Sequence, residues 1–164
     1  MNRRGFTIIE LLITIAVIAV LATLGVATYV PVRRNANDKI RFSTINEMGR
    51  LVLASDCYRP DAGTGDYDIK TIYDEMVAAN PEVKKYVSAP PRDPKTGTAD
   101  QTNYRYVYSD ADGGHCAIYA NLENPQAEVA LTAISAPTPG GGTGYFESTT
   151  VGPNGTNRYY QISR

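Results

Sequence analysis

Histidine and cysteine are scarce in this chain: one His and two Cys stand among 164 residues. The lone His115 adjoins Cys116 in a stretch that reads as a strand. Adjacent strand residues face opposite ways, so the two make no catalytic dyad. No CxxC motif and no metal-ligand spacing is present. Gly140, Gly141 and Gly142 precede neither a lysine nor a clear helix, which excludes a phosphate-cradling loop. No internal repeat and no linker between two domains is visible. Charge is almost missing from residues 6–32, where Glu10 is the one charged side chain in 27.

The remaining charge is unevenly spread. Residues 33–50 hold five basic and two acidic side chains, net +3; residues 51–164 hold nine and 14, net −5. A basic neck below an acidic remainder would favour staggered packing of copies. The acidic part argues against a general nucleic-acid surface.

What is present is the apolar run 6–32 behind a short basic leader, MNRRG. A helix over residues 11–32 would span about 33 Å, enough for a bilayer core. It is apolar on every side and must be buried in lipid or among other helices. Glu10 does not fit a plain anchor, because a carboxylate there is costly unless paired. A cut after Gly5 would give Phe6 a new α-amino group, and Glu10 of one molecule would pair with that amine on a neighbour. Two other readings are a secretory signal cut after Ala22 or Ala27 and a simple anchor. Glu10 argues against both. Arg33 and Arg34 flank the far end, so positive charge does not fix orientation.

The stretch Gly5-Phe6-Thr7-Ile8-Ile9-Glu10-Leu11-Leu12 resembles the prepilin processing site of type IV pilins and type II secretion pseudopilins. The resemblance covers roughly residues 1–35. It implies that prepilin peptidase cuts between Gly5 and Phe6 and methylates Phe6, and that Glu10 is the assembly acid. Tyr29 falls where these helices often carry an aromatic. Many pilins have a proline at the place of Ala27; this chain has Pro31 instead. Gly25 and Pro31 bound the segment expected to kink or melt in a filament.

The implied fold is α+β: a long N-terminal helix packed on a small antiparallel sheet. The expected divisions are a leader (1–5), a membrane and assembly half-helix (6–32), an amphipathic half-helix (33–57) and a globular head (58–164). The implied function is that of a non-enzymatic structural subunit of a pilus-type filament, with a pseudopilin as the alternative. The implied partners are other copies of the chain, the peptidase, inner-membrane assembly machinery and, before assembly, lipid; no cofactor is implied. The head would lie outside the cytoplasm. A membrane-anchored binding or enzymatic domain is the reading from a different class; it would give Glu10 no role.

Beyond the run, Phe42, Ile45, Met48 and Val52 make an apolar stripe, and the helix is expected to end by Cys57. Residues 66–80 read as a second helix with Ile69, Ile72, Tyr73, Met76 and Val77 on one face. A short helical turn is expected at 83–87. NYRYVY and HCAIYANL read as a hairpin around a turn at 109–114. The loop Pro91-Arg92-Asp93-Pro94 leading to Tyr104-Arg105-Tyr106 resembles the pseudopilin core. Residues 127–134 read as helix or strand, 136–144 as a flexible loop, and 145–151 and 158–162 as strands about a turn at 152–155.

Cys57 and Cys116 suggest a disulfide and an oxidising location; two buried free thiols are the alternative. The bridge would add ~4 kcal/mol in the chain-entropy account. Asp110-x-Asp112-Gly113 echoes a calcium loop, with Asp93 a third candidate, and competes with an ordinary turn. Asn154-Gly155-Thr156 fits a sugar-acceptor pattern, and Ser and Thr in 132–157 are further candidates.

Overall fold

The computed structural model describes residues 6–53 and 56–164; for residues 24–28 and 112 it describes the backbone only. The chain divides into two compact units, Met1–Arg34 and Asn35–Arg164. One helix, α1 (Ile8–Val52), contributes to both and contains Pro31. In the first unit it presents apolar side chains outward, among them Ile8, Leu12, Ile15 and Val20.

The second unit carries five strands: β1 (Gly65–Asp68), β2 (Tyr104–Ser109), β3 (His115–Asn121), β4 (Gly144–Glu147) and β5 (Arg158–Ser163). They form one antiparallel sheet in the order β1-β2-β3-β5-β4. Helix α2 (Ile69–Ala79) and the 3-10 turn Pro81–Lys85 lie between β1 and β2 in sequence. This is the α+β arrangement of the type IV pilin fold.

Alternation builds the core. Tyr104, Tyr106 and Tyr108 are buried while the residues between them are half-exposed. Tyr106 pairs with Ile118, and Ile118 with Ile162, so one face of three strands is apolar. Ile45, Met48 and Val52 of α1 and Ile69 and Ile72 of α2 close over it. Each fully buried large apolar side chain contributes about 1.5–3 kcal/mol. Phe42, expected in that stripe, is instead 43% exposed and leans on Tyr160.

Several boundaries differ from expectation. Helix α1 ends at Val52, not near Cys57; the Tyr58 amide turns back to donate to the Val52 carbonyl at 2.9 Å, satisfying a helix-end acceptor. Helix α2 begins only at Ile69. Asp68 is its N-cap, accepting from the Lys70 amide at 2.9 Å, and residues 66–68 belong to edge strand β1. Residues 127–134 are neither helix nor strand; the amides of Ala130 and Leu131 both donate to the Tyr145 carbonyl. The glycine-rich loop after them is fastened to β5. Gln161 accepts from the Thr138 amide at 3.0 Å and donates to the Gly142 carbonyl at 2.8 Å.

Candidate functional site

Helix α1 begins at a cap. The Thr7 hydroxyl accepts from the Glu10 amide at 3.2 Å, and the Glu10 carboxylate accepts from the Thr7 amide at 2.9 Å and the Thr7 hydroxyl at 2.8 Å. This reciprocal pair is a capping box, and T-x-x-E is its sequence signature. Reading Glu10 only as an assembly acid misses it. The carboxylate therefore has partners within a single chain. Gly5 lies outside the described residues, while Phe6 on the other side of that bond is 85% exposed.

The helix after the cap is prepared for an apolar surround. The hydroxyls of Thr14 and Thr23 each donate to a carbonyl three residues back, both at 2.8 Å, so neither needs an outside partner. Among the described residues, however, no helix is long and apolar enough to cross a membrane. That departs from the span expected over residues 6–32. Gly25 is among the residues for which the backbone alone is described. Pro31 sits within the helix, where it can give no amide to the preceding turn.

The second concentration of polar chemistry is at the neck. Arg41 is 0% exposed and grips Asp93 through two nitrogens, Nε to Oδ2 at 2.6 Å and Nη2 to Oδ1 at 2.9 Å. It also reaches Asp38 at 2.8 Å and Glu123 at 2.9 Å. Asp38 in turn accepts from the amides of Glu123 and Asn124, each at 2.9 Å. Burial opposes ionisation of Asp93. Hydrogen bonds from Arg41, Asn154 and the amides of Lys95 and Thr96 outweigh it and hold the pKa at about 2. Burial also works against the Arg41 charge, and the surrounding carboxylates, Asp93 first, override it and raise its pKa. Glu123 is held low in the same way, against its burial, by Asn37 and Arg41.

This neck cluster reassigns two candidates. Asn154, the residue of the sugar-acceptor pattern, is 3% exposed, and its side-chain amide donates to Asp93 at 2.9 Å and to the Asn121 carbonyl at 2.8 Å. It is a structural strut and not an accessible acceptor. Asp93 is committed to Arg41, whereas Asp110 lies beside Arg59 and Thr64. The structure does not bring those two acids together, and the side chain of Asp112 lies outside the described residues. Among the described residues, no group of three metal-ligating side chains is assembled.

Cys57 and Cys116 are joined in a disulfide with Cα atoms 5.8 Å apart, so neither is a free nucleophile. It ties β3 to the chain just beyond α1. Sequence reasoning does not find Arg41. Its signal is a charged residue between apolar stripe positions, with partners too distant in sequence to identify.

Residues 1–26 match the family description "Prokaryotic N-terminal methylation motif". The chain is also similar to the "Type IV wide pilus major component PilA4" of Thermus thermophilus, with 44% identity over 46 residues. That match covers 28% of this chain and about a third, 35%, of the relative's length. No solved structure matches.

Proposed function

We propose that this chain, which its N-terminal motif, its pilin relative and its fold assign to the type IV pilin and pseudopilin superfamily, is the repeating subunit of a pilus-type filament. The observation that carries the reading is the methylation motif opening a helix whose apolar side chains face outward. In this reading the subunit waits in the inner membrane with its head outside the cytoplasm. Prepilin peptidase cuts between Gly5 and Phe6 and methylates the new amine. Assembly machinery then moves the helix from lipid into a bundle of neighbouring helices, and the apolar surface exchanges one oily surround for another.

Glu10 would supply the register. Its carboxylate is held by Thr7 in the single chain. The cationic amine of a neighbour's Phe6 offers a stronger, charge-assisted bond. A helix shifted by one turn leaves the acid without that partner in an apolar surround, which is costly. The segment from Gly25 to Pro31 is the place where the helix would loosen during packing. The subunit itself performs no reaction, and the exposed part of the head is the working surface.

Mass spectrometry of the mature N-terminus tests the reading. The expected chain begins at methylated Phe6. A chain beginning at Met1, or at a residue deep in the apolar run, overturns it. A pseudopilin is the second reading, favoured by the Pro91-to-Pro94 loop leading into Tyr104 and Tyr106. Deleting the subunit distinguishes the two: loss of long surface fibres supports the pilus, and a secretion defect without fibre loss supports the pseudopilin.

A further inference from the structure

Strand β3 and the part of α1 in the second unit run in opposite directions and are fastened to each other at both ends. At one end Asp38 accepts from the amides of Glu123 and Asn124, and Asn37 and Arg41 donate to the Glu123 carboxylate at 2.7 and 2.9 Å. At the other end the disulfide joins Cys116, inside β3, to Cys57, beyond the end of α1 at Val52. Between them Gly49 lies over the strand, where an added Cβ would stand 3.8 Å from Ile118. Residues 38–52 of α1 rise about 21 Å and residues 116–123 span about 24 Å, so the fastenings close opposite ends of one contact.

Their chemistry differs. The neck fastening is made of hydrogen bonds and ion pairs, which a reductant does not touch. The other is a covalent bond that a dithiol opens. Cys116 is fully buried and Cys57 half-buried, so the attacking thiolate meets the Cys57 sulfur. Cys116 leaves as a thiolate and takes a proton. The reductant's second thiolate then displaces Cys57, which is protonated in turn, and the reductant becomes a disulfide. We propose that β3 and α1 form a redox-gated latch with two independent catches. Reduction frees the Cys116 end of the strand, while the neck keeps the Glu123 end seated. Loss of the neck bonds in the oxidised chain frees the opposite end. With one end tied, the loose end redocks as an intramolecular event at high effective concentration. The helix therefore leaves the sheet only when both catches are undone, and a chain with reduced cysteines keeps its head folded.

Amide exchange of the full chain in detergent micelles tests the latch. Cys116 donates to the Arg164 carbonyl at 2.9 Å and reports one end; Leu122 donates to the Arg158 carbonyl at 2.8 Å and reports the other. Ile118, paired with Tyr106 and Ile162, reports the middle. Reduction with dithiothreitol should quicken exchange at Cys116 by about tenfold and leave Leu122 within about twofold. Cys57→Ser should copy reduction. Asp38→Ala in the oxidised chain should do the reverse, quickening Leu122 and sparing Cys116. Ile118 should keep its protection in each case and lose it, by about a hundredfold, only when the reduced chain also carries Asp38→Ala. Uniform quickening along β3 on reduction alone overturns the proposal, since the head then opens as one unit. An unchanged Cys116 overturns it as well. If Asp38→Ala does not fold, Asn37→Ala removes a single bond to Glu123 and should quicken Leu122 before Cys116; the opposite order overturns the independence of the two catches.

Discussion

Arg41 shows how much a single residue can hold. Its guanidinium is shared among Asp93, Asp38 and Glu123 at the edge of an apolar core. Removing one member of a buried pair leaves the others charged and unpaired, which costs about 3–5 kcal/mol. Arg41→Ala should therefore lower the unfolding free energy of the chain in detergent by that amount, read from urea titration. Asp93 gives the pH dependence. Its folded pKa of about 2 lies below the ordinary carboxylate value, so its stabilisation is present above about pH 4 and is lost as pH falls toward 2. The shift corresponds to about 2 kcal/mol. In Asp93→Asn, stability at neutral pH should drop, and the decline between about pH 4 and 2 should become shallower. Equal slopes in both proteins would remove Asp93 as the acid-sensitive group.

At the scale of elements, the legible parts are those whose pattern is local. Alternating tyrosines reveal β2, and the turn residues after it reveal the hairpin with β3. Ile45, Met48 and Val52 mark the buried side of α1. Partners distant in sequence are not legible. Arg41 meets Asp93 across 52 residues and Glu123 across 82, and nothing in its neighbourhood announces burial. Strand β1 is hidden because its four residues are mostly acidic or glycine and acquire strand form only by pairing with β2. The Thr7 cap is legible as T-x-x-E, but attention to the charge of Glu10 alone passes over it. Thr7→Ala should remove the hydroxyl from both sides of that cap at a cost of about 1 kcal/mol. Amide exchange at Glu10 and Leu11 in micelles should then quicken by about fivefold, while exchange in β2 and β3 stays unchanged.

At the scale of the whole molecule, the buried core lies in one unit and the Thr7–Glu10 cap in the other. Every residue of the buried apolar cluster lies in Asn35–Arg164, and the disulfide lies there too. Glu10 belongs to the other unit, and its described side-chain bonds are all to Thr7. Glu10→Ala should therefore leave the urea midpoint of the head and its disulfide unchanged. The filament reading expects a different effect on polymer formation, because neighbouring helices would lose the acid that receives the Phe6 amine. Electron microscopy of cells carrying the variant should show no fibres, while the processed subunit accumulates in the membrane with its head folded. Normal fibres from that variant would leave the acid without a role in register. A lowered urea midpoint would mean that the apolar unit contributes to head stability, contrary to the separation drawn from the core.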